Sequence, residues 1–333
     1  MAQDFTLSDF DYDLPDSLIA QEPVTPRDTS RLLVYYRNED TIVDDYFYNL
    51  PSYLPSHTKL VLNNSRVEKC RLLFGNREIF VHKAYSNTLV EALVRPGKVF
   101  KKGKTVTLPD GITASVKDVT DDGLRIIEFN YPFNDRKLDA YRYTPFPPYL
   151  EQNEELAPNY QTVFAKEEGS KAAPTAGLHF TERLFNKLDE QGITREEITL
   201  HVGLGTFAPV KEEDLDRHAM HYEEYWLDEQ TSGRLNEAEH ITAVGTTSVR
   251  VLEGNSDENG KLTPKRDSTN LFIRPGYQFR AVDAMLTNFH LPKSTLLMLV
   301  SAFMGYEQML RVYRHAIEQQ YRFYSFGDAM LIL

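Results

Sequence analysis

The chain is 333 residues long, with 41% hydrophobic residues, 19 tyrosines and 19 phenylalanines, enough to fill two domain cores and too apolar for a disordered chain. Its 37 Lys and Arg against 49 Asp and Glu give a net charge of -12, which excludes a uniformly basic nucleic-acid-binding surface. The single cysteine, Cys70, excludes an intrachain disulfide and a thiolate metal cage; with an acidic N-terminus that lacks an apolar run, a cytoplasmic protein free of the membrane is expected.

Charge is nonetheless segregated along the chain. Residues 66–108 hold 10 basic and 3 acidic side chains, and residues 259–323 hold 9 and 4. Such basic stretches on an acidic body suit a polyanion, although uneven surface charge with no partner would give the same counts.

The N-terminal segment opens on an acidic lead, Asp11-Tyr12-Asp13-Leu14-Pro15, with a short helix expected at 16–20. Strands are predicted at 31–36 and 41–47 around a turn at 38–40, and at 59–63, which ends in Asn63-Asn64-Ser65-Arg66. From 66 to 149 the pattern changes to short β-type runs at 71–74, 78–82, 89–94, 105–108, 114–119 and 124–129, with turn residues between them and no helical period. That spacing predicts a small antiparallel β-barrel domain, 66–149, inserted into a discontinuous α/β main body of 1–65 and 150–333. Arg95, Lys98, Lys101 and Lys102 fall in and beside its turns, as a phosphate-contacting rim would and as solubilising turn residues also would.

After a return linker at 143–158, the local signals are clearest from 172 to 209. Thr181 is a fitting N-cap, Phe180 can staple onto Phe185, and Gly192 supplies the stop of a helix whose apolar stripe is Leu184, Phe185 and Leu188. A strand follows in which Ile198, Leu200 and Val202 alternate with Thr199 and His201. Loops bearing His179 and His201 flank this αβ unit, the kind of junction where α/β proteins bind ligands. Farther on, 211–225 is a charged segment in which His218 and His221 would share a helical face. A strand at 241–245 delivers Thr246-Thr247-Ser248 to a helix. A polar connector at 254–269 precedes a strand at 271–273 that ends near Arg274. Residues 284–288 lead to Phe289-His290-Leu291-Pro292, Ser294 caps a buried helix at 296–304 that Gly305 ends, and a last helix spans 307–319.

Gly203-Leu204-Gly205-Thr206-Phe207-Ala208 matches a dinucleotide-binding fingerprint, but Pro209 would fall inside the helix that the fingerprint must open, at a cost of about 3 kcal/mol. Gly203 and Gly205 are better used in a turn that lets a ligand approach the backbone. No Walker sequence for nucleotide phosphates is present, and with neither an H-E-x-x-H pattern nor a Cys-bearing finger no metal is expected. His179, His201 and His290 each sit beside apolar residues at an element end, where a desolvated imidazole makes a good acid or base. Thr246-Thr247-Ser248 and Lys293-Ser294-Thr295 offer hydroxyls and helix N-terminal amides to an anion.

Taken together these runs resemble the S-adenosylmethionine:tRNA ribosyltransferase-isomerase family of queuosine biosynthesis. The resemblance rests on the acidic lead, Val94-Arg95-Pro96-Gly97-Lys98, the run from Ala173 to Thr181, Leu200-His201-Val202-Gly203-Leu204-Gly205-Thr206-Phe207, Val244-Gly245-Thr246-Thr247-Ser248-Val249-Arg250, Thr287-Asn288-Phe289-His290-Leu291-Pro292-Lys293-Ser294 and Ser325-Phe326-Gly327-Asp328-Ala329-Met330. Two departures are visible: Asn64-Ser65 stands where the family usually has Asp-Thr, and Asn270 where an Asp precedes the strand.

The resemblance implies transfer and isomerisation of the ribosyl part of S-adenosylmethionine onto 7-aminomethyl-7-deazaguanine at the tRNA wobble position, with release of adenine and methionine. It implies a barrel-like α/β body with an inserted small β-barrel, S-adenosylmethionine as co-substrate rather than cofactor, and no metal or redox group. On that reading His201, His179 and His290 share the acid/base work, with Asp328 as an acceptor. Thr175, Gly177, Gly203, Gly205, Thr206, Thr246, Thr247, Ser248, Asn288, Lys293 and Ser294 would then meet S-adenosylmethionine and the target base. Arg95, Lys98, Lys101, Lys102 and Arg274 would hold the phosphates of the tRNA anticodon stem-loop. A metal-dependent hydrolase and a non-catalytic tRNA-binding module are the competing readings.

Overall fold

The computed structural model describes residues 5–203, 210 and 212–333; Gly205 and Thr206 lie outside the described residues. The chain forms two compact units, one of Met1–Arg66, Pro148–Glu151 and Pro158–Leu333, the other of Val67–Pro147 and Gln152–Ala157.

The larger unit, the body, is built on one mixed sheet. Its strands are β1 (Arg31–Tyr36), β2 (Thr41–Tyr46), β3 (Lys59–Asn63), β4 (Thr194–Leu200), β5 (Glu223–Leu227), β6 (Ile241–Val244), β7 (Lys265–Thr269), β8 (Ala284–Asn288) and β9 (Ala329–Ile332). Their order is β7-β5-β4-β3-β6-β8-β9-β1-β2. The neighbours β4, β3, β6 and β8 run parallel, while β8 and β9 are antiparallel.

These central strands read as near-continuous apolar runs because both of their faces are covered. Alternation along each strand sorts the side chains into two cores. Leu33, Val61, Ile198, Ala243 and Met285 join one; Leu32, Leu60, Leu62, Val244 and Leu286 join the other. The first core is closed by α3 (Thr246–Asn255), α4 (Thr295–Met304) and α5 (Tyr306–Glu318), through Val249, Met298 and Val312 among others. The second is closed by α1 (Glu182–Glu190), through Leu184, Phe185 and Leu188, and by Phe47 and Leu50.

The caps act as their residue types dictate. The Thr181 side chain accepts the Leu184 N–H, and the Phe180 and Phe185 rings stack 5.1 Å apart, which fixes the entry into α1. Ser294 accepts the Leu297 N–H at the start of α4. Gly305, at φ 98°, joins α4 to α5 in a conformation closed to other residues.

Several expectations are corrected. Residues 254–269 are not all connector, since Lys265–Thr269 is a strand; it lies on an edge, is exposed except at Thr269, and carries no hydrophobic alternation to read. The strand expected at 271–273 is absent. His218 and His221 share no helix, because only a short turn, Leu215–Arg217, forms there. The helix expected at 16–20 shrinks to Asp16–Leu18. One helix was not foreseen, α2 (Glu229–Asn236), which buries only Thr231, Ser232 and Leu235 and so shows almost no apolar stripe.

The smaller unit is a seven-stranded antiparallel sheet wrapped around a single core that includes Cys70, Leu72, Ile79, Val90, Phe100, Ala114 and Ile127. Its order runs from Arg142–Tyr143 through Arg71–Phe74, Arg77–Ala84, Leu89–Arg95, Arg125–Phe129 and Thr113–Val119 to Thr105–Thr107. Among the described residues the first and last of these do not pair. No described helix is long and apolar enough to cross a membrane.

Candidate active site

The parallel strands β4, β3, β6 and β8 place Leu200, Asn63, Val244 and Asn288 at one edge of the sheet, the edge where open α/β sheets collect ligands. Asn63 stitches that edge together. Its Oδ1 accepts the Leu200 N–H at 3.0 Å, and its Nδ2 donates to the Leu200 carbonyl at 3.0 Å and to Thr247 Oγ1 at 3.3 Å. Gly245, at φ 86°, turns the chain from β6 into α3 and brings Thr246 and Thr247 to the edge. Ser248 lies one step too deep, since it is fully buried and its hydroxyl donates to the Val244 carbonyl at 2.8 Å.

The segment from Ala172 to His179 covers the β6 and β8 end of this edge. Ala176 packs against Gly245, where an added Cβ would lie 3.6 Å from its own. Thr175 Oγ1 donates to Asn288 Oδ1 at 3.1 Å. Gly177 is obligatory here because a side chain would meet the Phe164 ring at 2.7 Å.

His179 is fully buried and its polar atoms are engaged. The Asn288 amide donates to the Tyr324 carbonyl at 3.1 Å, which fixes its orientation, and its other N–H points at His179 Nε2, also at 3.1 Å. The proton therefore sits on Nδ1, facing Ser30 Oγ at 2.7 Å. Burial, with the charges of Arg27 and Arg322, holds this imidazole well below its ordinary range. It is a neutral post that positions Asn288.

His290 is placed differently. Thr287 and Asn288 are consecutive in β8 and so point to opposite faces. His290 Nε2 lies 2.7 Å from Thr287 Oγ1, while His179 is held by Asn288. The structure thus separates these two histidines across the sheet. His290 is buried beside Tyr12 and Tyr313, and burial pushes its imidazole down to about 3.

His201 is the histidine that remains partly open. It follows β4 on the face of Thr199, opposite Ile198 and Leu200, and therefore on the same face as Asn288 and His179. Its ring meets Trp226 edge-on at 5.0 Å and packs against Gly169, where a Cβ would crowd it at 3.2 Å. Nδ1 is shielded and has no hydrogen-bond partner among the described residues. Desolvation lowers its affinity for a proton, offset in part by Glu224, so it is neutral at pH 7. Trp226 also walls a cleft of about 350 Å³ shared with Asn64, Glu167, Glu197 and Thr199. In that cleft Asn64 Nδ2 donates to Glu197 at 3.1 Å and its Oδ1 accepts from Thr199 at 2.6 Å. An aspartate at 64 would set a second carboxylate against Glu197, so the Asn here removes a repulsion.

Three strand spacings separate β4 from β8, roughly 14 Å at about 4.8 Å each, the span of an extended nucleoside joined to an amino acid. Gly203, at the His201 end, is held by a buried ion pair that the sequence did not flag. Its N–H donates to Glu223 at 3.1 Å, and Glu223 pairs with Arg250, which also donates to the Leu271 carbonyl at 3.2 Å.

Other predicted residues serve the framework. Asp328 is buried, and its two oxygens accept the backbone N–H groups of Arg31 at 2.9 Å and Arg322 at 2.8 Å. Lys293 pairs with Asp11 at 2.6 Å, Ser294 caps α4, and Arg274 pairs with Asp216. In the smaller unit Arg95, Lys98, Lys101 and Lys102 are exposed, with Lys102 paired to Asp118 at 2.6 Å. Arg125 braces their turn by donating to the Phe100 carbonyl at 3.1 Å, and Gly97 leaves room for its guanidinium. Among the described residues no cluster of three His, Cys, Asp or Glu is arranged to hold a metal ion.

Comparison with known proteins adds the chemistry that geometry alone leaves open. A family model described as queuosine biosynthesis protein matches residues 7–332. A protein of Symbiobacterium thermophilum named S-adenosylmethionine:tRNA ribosyltransferase-isomerase is 48% identical over 339 residues, covering 98% of this chain and 99% of that protein. A protein of Caldanaerobacter subterraneus with the same name is 47% identical over 338 residues, with the same coverage. Among solved structures, the S-adenosylmethionine tRNA ribosyltransferase of Thermotoga maritima matches 98% of this chain and 100% of its own at 37% identity, with a TM-score of 0.55.

Proposed function

The chain belongs to the queuosine biosynthesis protein family, and from that premise we propose how its residues carry out the transfer and isomerisation of a ribosyl group from S-adenosylmethionine to tRNA. The acceptor is the aminomethyl group of a 7-deazaguanine at the wobble position, and adenine and methionine are the leaving groups. The body, barrel-like in this reading, holds the site on the edge formed by the ends of β4, β3, β6 and β8; the smaller β-barrel unit supplies phosphate contacts through Arg95, Lys98 and Lys101.

The reaction requires removal of a proton beside the sulfonium, departure of adenine as a protonated or hydrogen-bonded base, and attack by a free amine. Each step needs a group that is near neutral and shielded from bulk water. His201 meets that requirement: its imidazole is neutral, partly open, without a partner among the described residues, and set against Trp226. That is the observation which carries the assignment. We place proton transfer on His201 and positioning on His179, which holds Asn288 and through it Thr175. His290, buried on the other face, supports the fold.

The test is adenine release from S-adenosylmethionine in the presence of tRNA carrying the aminomethyl-deazaguanine, run with and without chelator. Release that depends on that tRNA and survives chelation is expected. Loss of activity with chelator would favour a metal-dependent hydrolase, and tRNA binding without adenine release would leave a non-catalytic module.

A further inference from the structure

Two buried charges in the body each face an opposite charge. Arg250 pairs with Glu223, and the buried Asp28 takes two N–H groups of Arg183 at 2.6 and 2.5 Å. Arg27, next to Asp28 in sequence, has no carboxylate within salt-bridge reach among the described residues. Its Nε is shielded from solvent and bonded to nothing there. Nη1 donates only at long range, to the Phe326 carbonyl at 3.4 Å, and Nη2 lies 3.3 Å from His179 Nδ1, which carries its own proton and accepts nothing. Arg322 donates to that same Phe326 carbonyl at 2.9 Å and to the Glu22 carbonyl.

Two guanidiniums thus converge on one neutral oxygen and repel each other. The carboxylate that acts on both is Asp328, whose oxygens are already taken by the backbone amides of Arg31 and Arg322. One carboxylate against two guanidiniums leaves the place positive. Burial and Arg322 together push Arg27 down to about 10, the mark of a cation short of counter-charge. Holding like charges together in a shielded place is unfavourable unless an anion joins them, and a planar fork of N–H donors matches a carboxylate best.

We infer that Arg27 and Arg322 form an anion seat that takes the α-carboxylate of the methionine part of S-adenosylmethionine, at the His179 end of the site. This rests on the reading of the site given above and deepens it by orienting the substrate. With the carboxylate beside His179, the roughly 14 Å of sheet edge carries the nucleoside toward His201 and Trp226, where an aromatic wall suits a purine. The methionine moiety and the adenine then leave from opposite ends of the edge.

The experiment compares binding of S-adenosylmethionine and its decarboxylated form, S-adenosyl-3-methylthiopropylamine, to the full wild-type chain, with an unmodified tRNA transcript present so that no turnover occurs. The wild type is expected to bind S-adenosylmethionine about 10- to 100-fold more tightly, as loss of a charge-assisted hydrogen-bonding partner implies. Arg27→Met and Arg322→Met should each weaken S-adenosylmethionine by a similar factor and leave the decarboxylated form within about twofold, so that discrimination disappears. Equal binding of the two ligands by the wild type overturns the seat without touching the assignment of the site, and needs no variant to fold. If Arg27→Met instead weakens tRNA binding and flattens its salt dependence while discrimination persists, the anion is an RNA phosphate and the inference fails. A wild type that binds no S-adenosylmethionine overturns both the reading of the site and the seat.

Discussion

Burial of His179 and His290 as neutral groups ties the stability of the body to pH. Burial lowers both imidazoles in the folded chain, His290 to about 3 and His179 well below its ordinary range. The unfolded chain takes up a proton at each near pH 6.5, and the folded chain does not. Stability is therefore complete above pH 6.5 and is lost as pH falls from there toward the folded values, at about 1.4 kcal/mol per pH unit and histidine. At pH 5.5 the two together remove roughly 2–3 kcal/mol relative to pH 8. Asp328 and Glu253, raised by burial, act in the opposite sense, but they are common to wild type and variant and cancel in the difference. The assay is urea unfolding at pH 8, 6.5 and 5.5, read by the fluorescence of Trp226, the single tryptophan, which lies in β5 of the body. His290→Gln keeps a polar end group near Thr287 and should remove one histidine's share, about 1.4 kcal/mol, of the loss between pH 8 and 5.5. Identical pH slopes in wild type and His290→Gln would refute the claim that His290 is buried neutral.

Two further outcomes follow from the same geometry. Glu223→Leu leaves Arg250 buried without its counter-charge and the Gly203 N–H without its acceptor, and should cost about 3–5 kcal/mol in urea unfolding with a higher KM for S-adenosylmethionine; a cost under about 1 kcal/mol would show that the pair does not anchor Gly203. Lys98→Glu should weaken tRNA binding several-fold and flatten its salt dependence by about two phosphate contacts, with the KM for S-adenosylmethionine unchanged; unaltered tRNA affinity would remove the smaller unit's basic turn from the interface.

What could be read in advance was whatever rests on local chemistry. The Thr181 cap with its Phe180–Phe185 staple, the Ser294 cap and the Gly305 stop are set by residue type within a few positions, and the structure shows each. The apolar strands 31–36 and 59–63 were legible for the same reason. Edge elements were not. β7 is charged on both faces and held by pairing to β5 alone, and α2 is held by the Asp228 cap, which accepts the Thr231 N–H at 2.8 Å, more than by any stripe. In the site, the histidine-bearing runs stood out and alternation set His201 opposite Ile198 and Leu200, but sequence could not show on which side of the sheet His179 and His290 would fall. That depends on strand register, and it is register that puts Thr287 with His290 and Asn288 with His179. Arg27 and Glu223 were missed because an arginine or glutamate in a polar stretch carries no signal of burial until the distant partner, or the lack of one, is known. A half-buried guanidinium with no carboxylate beside it is a property of the assembled fold.

On this reading His201 is the group that moves the proton. The measurement is the single-turnover rate of adenine release by His201→Ala against wild type, with tRNA bearing the aminomethyl-deazaguanine and with folding checked by far-ultraviolet circular dichroism, since Trp226 touches the substituted ring. A loss of at least about 100-fold, the usual contribution of a general base, is expected. In the wild type the rate should fall as pH drops through a single ionisation below 6.5, where desolvation places this imidazole. A His201→Ala rate within about threefold of wild type, too small for a general base, would contradict the assignment and return the chemistry to another group on the edge formed by β4, β3, β6 and β8.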